Sequence, residues 1–376
     1  MGEAAEKESR RTIDKLGPPA REGVTVRCAL GVERIGARTL DWLGRDAWLT
    51  SVEMTEGTHV RVIVTGGTGF VGRQLVRILG EKADVLVADL LRYGTPDWLT
   101  EDDAGFRFQQ VDLRDAAATR TLVEDFQPDV VVHLAAIHYI PECDDDPANA
   151  VATNVTGTVN LLASCPPGVR FVFASSGAVY SPDEEAHREF ESALGPADIY
   201  GITKLQGEAY VRAFAADRGI SATIVRLFNV IGPGETNPHL LPAIVAQLRE
   251  GADSISLGNT WPKRDYIDVL DAANGFATVA LGTNSEGVAC ETVNLGSGHQ
   301  YSVDEILSRM RSVLGLDFEV RQDPSRMRAV DRPFLGADIT HIDEVFGWRP
   351  AHDLDETLTR TWASPDFLPA LNGRLT

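Results

Sequence analysis

Between His59 and Phe228, short β-branched runs alternate with longer stretches whose apolar residues recur every three or four positions. The runs HVRVIV (59–64), DVLVAD (84–89), FRFQQVD (106–112), DVVVHLAA (129–136), RFVFASS (170–176) and ATIVRLF (222–228) read as strands. Continuous apolar runs of this length suit a sheet covered on both faces. VGRQLVRILGEK (71–82) and the segments 148–164 and 200–217 have helical spacing. The alternation predicts βαβ units, hence a doubly wound parallel sheet of the Rossmann type with helices on both faces. Beyond Asn229 the elements shorten and Gly and Pro punctuate the chain. That part, 229–376, is expected to be a smaller mixed α/β lobe that returns some segments to the sheet.

Residues 1–53 show no sustained period, apart from a candidate short helix over 40–49 (LDWLGRDAWL). They are expected to form a disordered extension before a sheet domain spanning 54–228. Met54 stands as an alternative start. Composition narrows the function. With 35 Lys+Arg against 55 Asp+Glu the net charge is −20, which disfavours a nucleic-acid or anionic-membrane surface. No stretch is apolar enough for a membrane span, and the first 30 residues lack an uninterrupted apolar core for a signal peptide. The 4 cysteines are widely separated, which argues against a disulfide framework or a zinc site and points to free thiols in the cytoplasm.

The first strand runs into Thr65-Gly66-Gly67-Thr68-Gly69-Phe70-Val71-Gly72, where the first helix opens. Glycines at 66, 69 and 72 let a pyrophosphate approach the backbone and meet the positive end of the helix. Asp89 ends the next strand, placed to accept ribose hydroxyls and to repel a 2′-phosphate, so NAD is favoured over NADP. Arg92 follows closely and leaves the alternative open. Asp112, followed by Leu113, ends the third strand, either beside the adenine or as the N-cap of a helix over 115–126. Ala135 and Ala136 are small enough for a cofactor to lie against the sheet edge, while His133 reads as a satisfied strand-end histidine.

Tyr200 and Lys204 stand at i and i+4 on one helix face, where the ammonium is expected to lower the phenol's pKa and make it a base. Ser176, at the carboxyl end of a strand, supplies a hydroxyl where open α/β sheets bind ligands. The order glycine loop, Asp, Ser, Tyr-x-x-x-Lys resembles extended short-chain dehydrogenase/reductases of the nucleotide-sugar epimerase/dehydratase branch, in particular UDP-hexose 4-epimerases. TGGTGFVG, HLAA, ATNVTGT, SSGAVY, YGITK, RLFNVIGPG and RDYIDV carry the resemblance across about 59–365.

The resemblance implies that 54–228 binds NAD and that 229–376 mainly binds substrate. Ser176 would hold the reacting sugar hydroxyl, Tyr200 would take its proton, and Lys204 would also hold the nicotinamide ribose. Asn154 would join the cofactor site; His138, Gly177 and Asn229 would face the sugar; Arg264 and Arg328 would grip the diphosphate, with Asp331 on the nucleotide ribose. A homodimer through the helices of 148–164 and 200–217 is also implied. Dehydratases and decarboxylases of the branch carry an acid just after the strand hydroxyl, where this chain has Gly177 and Ala178. A net reductase would favour NADPH, which Asp89 disfavours. Epimerisation at C4 of a UDP-sugar is the leading expectation, with dehydratase, decarboxylase and 4-ketoreductase as alternatives within the family. A regulatory NAD-binding protein without turnover is the alternative outside catalysis, and the intact Ser176/Tyr200/Lys204 set argues against it. His138 and Leu335 stand where epimerases of simple hexoses often carry lysine and tyrosine, which leaves room for a larger sugar.

Overall fold

The computed structural model describes residues 59–93, 106–235, 237, 239–326 and 332–364. The extension over 1–53, the short helix over 40–49, Arg328 and Asp331 lie outside the described residues. The strands are β1 Val60–Thr65, β2 Ala83–Asp89, β3 Phe106–Gln110, β4 Val130–His133, β5 Arg170–Ser176, β6 Ser221–Leu227 and β7 Asn229–Ile231. They continue as β8 Ser254–Leu257, β9 Lys263–Asp268, β10 Cys290–Leu295, β11 Gln300–Ser302, β12 Glu319–Gln322 and β13 Phe334–Leu335. The helices are α1 Phe70–Gly80, α2 Ala116–Phe126, α3 Ile140–Asp145, α4 Pro147–Val151, α5 Gly157–Ser164 and α6 Ile199–Arg218. Then come α7 Leu240–Arg249, α8 Val269–Leu281, α9 Val303–Leu314, α10 Thr340–Phe346 and α11 Leu354–Ala363.

Among the described residues the main sheet has seven parallel strands in the order β10-β6-β5-β4-β1-β2-β3. The order turns at β1 and β4, which makes the crevice above their carboxyl ends the natural ligand site. One face packs Val62, Val64, Leu75, Val76 and Leu79 against Phe276, Ala277 and Val279 of α8. The other packs Ile63, Val131, Phe171 and Phe173 against Leu122, Leu161 and Val211. These strands are buried on both faces, hence their unbroken apolar runs. Thus α8 and β10, both beyond residue 229, complete the sheet and its core.

A second sheet of β7, β9, β11 and β13 has β9 at its centre, and β8 pairs with β12 in a third. A separate apolar cluster built from Leu241, Ile244, Ile255, Ile306, Met310 and Leu358 supports this part of the chain. The helical stretch expected over 148–164 is interrupted by a π-helical turn, Ala152–Thr156, between α4 and α5. Asp115, and not Asp112, caps α2, accepting from the backbone N–H groups of Ala117 and Ala118. Asp112 is bound by the Arg114 guanidinium at 2.6 Å, which holds its carboxyl below the usual range.

Candidate active site

Above the β1/β4 switch point lies a cavity of about 1190 Å³. This exceeds the roughly 300–1,000 Å³ of an ordinary small-molecule cleft and leaves room for two ligands side by side. One wall is the turn from β1 into α1. Gly66 sits at φ +72°, and a Cβ there would stand 2.7 Å from the Ala135 backbone nitrogen. A Cβ on Gly72 would come within 2.2 Å of the Gly66 carbonyl oxygen. Close packing of helix on strand therefore requires glycine at both places. Gly69 is the N-cap of α1, no side chain caps that end, and no acidic residue occupies the first turn. The first N–H groups of the helix are left for an anion, and Phe70, Val71 and Gly72 line the cavity beside them.

Asp89 lies on the same wall, accepting from the backbone N–H groups of Thr68 at 3.1 Å and Leu91 at 2.8 Å. Each carboxylate oxygen keeps a further lone pair for a hydroxyl. Ala135 and Ala136 form the floor. The buried Thr68 hydroxyl has no hydrogen-bond partner among the described residues, as suits a group facing a polar ligand. A dinucleotide fits this donor set: an uncapped helix end for the pyrophosphate, a carboxylate for ribose, and small side chains where the rings would lie.

Behind the floor, His133 is buried between Thr65 and Thr158. Thr158 Oγ1 donates to the Asn154 carbonyl at 2.6 Å, so it accepts from His133 Nε2 at 2.8 Å, and Thr65 Oγ1 donates to Nδ1 at 2.7 Å. The ring is neutral and fully satisfied, and burial pushes its pKa down to about 3. It supports the floor, as the sequence suggests.

The side chain of Tyr200, near the start of α6, lines the cavity beside Ser176 at the end of β5, whose hydroxyl acts to lower the phenol's pKa. Asp198 sets the start of this helix, accepting from Gly201 N at 2.7 Å. Lys204, one turn on, is buried and donates to the Ala174 carbonyl at 2.8 Å, with Nζ 5.8 Å from the Tyr200 ring centre. Here the expected electrostatics are reversed. Burial pushes the Tyr200 phenol well above its ordinary pKa, outweighing the influence of the Ser176 hydroxyl, and pushes Lys204 down to about 8. Desolvation disfavours both charged forms, and the lysine is committed to a carbonyl instead of the phenol oxygen.

Ser176, Tyr200, Lys204, His138, Asn229 and Arg264 all line the cavity. Asp112, Leu113, Asn154 and Gly177 do not, contrary to expectation. Asn154 is buried and bonds Ile137 N, Ile137 O and Thr203 Oγ1, fixing the loop after β4 to α6. The Leu113 carbonyl is engaged by Asn160. Gly177 backs onto Phe228, whose ring a Cβ would meet at 3.1 Å.

Several lining residues were not singled out from the sequence. Arg332 donates to the Ala178 carbonyl at 3.0 Å and the Tyr180 carbonyl at 2.9 Å, holding the turn beyond Ser176. Arg73, from the first helix turn, reaches the Gly234 carbonyl across the cavity. His239 pairs with the buried Glu235, and Asn237 donates to His138 Nε2 at 2.6 Å. Only Arg73 carried a local signal, its place in the first turn after the glycine loop.

Residues 62–296 match the family model described as the NAD dependent epimerase/dehydratase family. A UDP-glucose 4-epimerase of Lactobacillus helveticus is 31% identical over 323 residues, 81% of this chain and 96% of its own. A GDP-6-deoxy-D-mannose reductase of Pseudomonas aeruginosa is 27% identical over 310 residues, 79% of this chain and 94% of its own. A UDP-glucose 4-epimerase from Brucella ovis, solved in complex with NAD, superposes with a TM-score of 0.72 at 29% identity. That match covers 81% of this chain and 97% of the other. The glycine turn, the carboxylate at the end of β2 and the Ser–Tyr–Lys group thus stand in a chain that belongs to the NAD dependent epimerase/dehydratase family of nucleotide-sugar enzymes, with NAD as cofactor.

Proposed function

We propose that the protein is an NAD-dependent 4-epimerase of a nucleotide-diphosphate sugar, with a UDP-hexose or UDP-hexuronate as substrate. The observation that carries this reading is the neighbourhood of Ser176. The turn Gly177–Val179 that follows it offers only a hydrogen, a methyl and an isopropyl group, none able to give or take a proton. Dehydratases that the chain resembles carry an acid in that position, whereas inversion at C4 needs one proton acceptor beside the hydroxyl, and Tyr200 lines the cavity next to Ser176. The 31% identity to a UDP-glucose 4-epimerase supports the same choice.

When bound, NAD supplies a hydride acceptor and a positive charge. The partly buried phenol of Tyr200 would serve as the proton acceptor for the C4 hydroxyl, its pKa open to lowering by a nearby positive charge. Ser176 orients that hydroxyl, and Lys204, pinned on Ala174, keeps a cation close to the phenol. Arg264 on β9 faces the diphosphate, with Arg328 and Asp331 assigned to the same ligand from the sequence. Asn229 and His138 contact the sugar. The reading includes a homodimer in the cytoplasm, formed through α4, α5 and α6, where Val151, Ile202 and Tyr210 stand exposed.

The test is incubation with UDP-glucose, UDP-N-acetylglucosamine and UDP-glucuronate, with no added NAD, following the anomeric protons by NMR. A C4 epimer is expected. A 4-keto-6-deoxy sugar or a pentose would overturn the reading in favour of a dehydratase or decarboxylase. Tyr200→Phe should lower turnover by about 10²–10⁴-fold while the protein keeps its NAD; undiminished turnover would place the base elsewhere.

A further inference from the structure

We propose that Glu142 sets the coenzyme preference of the cleft by withholding Arg92 from a 2′-phosphate. The inference rests on the NAD reading above and deepens it. A dinucleotide carrying a 2′-phosphate differs from NAD by added negative charge on the ribose, so the charge beyond the end of β2 decides between them. Asp89 is one half of that charge. Arg92, on the wall of the same cavity, is the other half, a guanidinium of the kind that grips phosphate with two parallel hydrogen bonds.

The fold does not leave that guanidinium to a ligand. Arg92 Nη2 meets Glu142 Oε1 at 2.5 Å, and Arg92 Nε donates to the Tyr93 hydroxyl at 2.5 Å. Tyr93 in turn donates to the same Glu142 oxygen, which closes a three-membered ring of contacts. Glu142 lies on α3, 50 residues along the chain from Arg92, so the pairing is a product of the tertiary structure. Its carboxylate is held in place because the next residue, Cys143, is buried with its thiol on the Ile137 carbonyl at 3.4 Å. Arg92 and Glu142 keep 38% and 28% of their side-chain exposure, so the pair adds little to stability. Its effect is on the field in the cleft: a neutralised guanidinium attracts a phosphate weakly, and the phosphate must displace a carboxylate to reach it. Asp89 repels the 2′-phosphate, and Glu142 removes the cation that would offset the repulsion.

The experiment titrates the full-length protein, freed of bound nucleotide, with NAD and with NADP by calorimetry. Wild type is expected to bind NAD more tightly than NADP. Glu142→Gln keeps the shape and removes the counter-charge, and should tighten NADP about tenfold while NAD changes by less than about threefold. The double variant Glu142→Gln/Arg92→Gln should lose that gain. Unchanged NADP affinity in a Glu142→Gln protein that still binds NAD would overturn the inference, and so would a gain that survives in the double variant. Tyr93→Phe, which removes the second contact to Arg92, gives an independent arm: a gain in NADP affinity of about threefold supports the proposal and no gain counts against it. A wild-type protein that binds neither dinucleotide would instead remove the NAD reading itself.

Discussion

Two parts of the cavity lining are made of different material. The glycine turn of Gly66, Gly69 and Gly72 with the floor of Ala135 and Ala136 presents mainly backbone, edged by the Asp89 carboxylate. The rest of the lining, with Asn229, Arg264, Arg332 and Leu335, presents side chains delivered by separate segments of the chain. A backbone wall recognises what its ligands have in common, charge and flatness, and admits no added atom. A side-chain wall can be altered residue by residue without disturbing the elements beneath, so it is suited to choose among sugars. One cofactor with many substrates is the outcome that this division favours.

The comparison breaks first at Gly72. Gly72→Ala places a methyl group against the Gly66 carbonyl, and dinucleotide affinity measured by titration should fall at least about a hundredfold, about 3 kcal/mol. Unchanged affinity would show that the turn is less closely packed than the 2.2 Å approach implies.

A second test acts behind the backbone wall. In the folded chain His133 stays neutral down to about pH 3, while in the unfolded chain it titrates near 6.5. Between those values the unfolded state binds the extra proton, so stability falls as acid is added, by about 1.4 kcal/mol per pH unit from this group. The pH slope of unfolding stability measured in urea should be about 1.4 kcal/mol per pH unit shallower in His133→Gln, which cannot titrate, than in wild type. Equal slopes in the two proteins would place the acid sensitivity elsewhere.

The smallest effect belongs to the side-chain wall. Leu335→Tyr should raise KM for UDP-N-acetylglucosamine about tenfold relative to UDP-glucose while leaving NAD retention unchanged. Loss of NAD in that variant would show that the two walls are not independent.

The sheet through β6, the glycine turn, Asp89 and the Ser–Tyr–Lys set were legible because each rests on local rules: apolar runs, missing side chains, and i to i+4 spacing. What was not legible depended on tertiary contacts. The helix α8 carries no clear period because Val269, Ala272, Ala273, Phe276, Ala277, Val279 and Ala280 are all buried, leaving little polar face to alternate with. Arg332 could not be told from a solvated arginine until its partners, two carbonyls more than 150 residues earlier, were known. The Tyr200–Lys204 spacing was read correctly as one helix face but gave the wrong direction for the phenol, since spacing does not report burial. Asn154 stood in a recognisable motif, yet its amide is spent on the backbone of Ile137.

The late arrival of β10 has a consequence for the growing chain. It pairs with β6 from Cys290↔Ala222 to Leu295↔Leu227, and its Asn294 accepts from the Tyr180 hydroxyl at 2.7 Å. Tyr180 also bonds the buried Arg226, which is paired with Glu208 on α6. A nascent chain that has passed residue 228 holds six of the seven strands but leaves β6 as an open edge, with a charged network uncovered beside it. Such an edge recruits other strands. A fragment cut at the apparent boundary near 228 is therefore expected to aggregate instead of forming a free cofactor-binding domain.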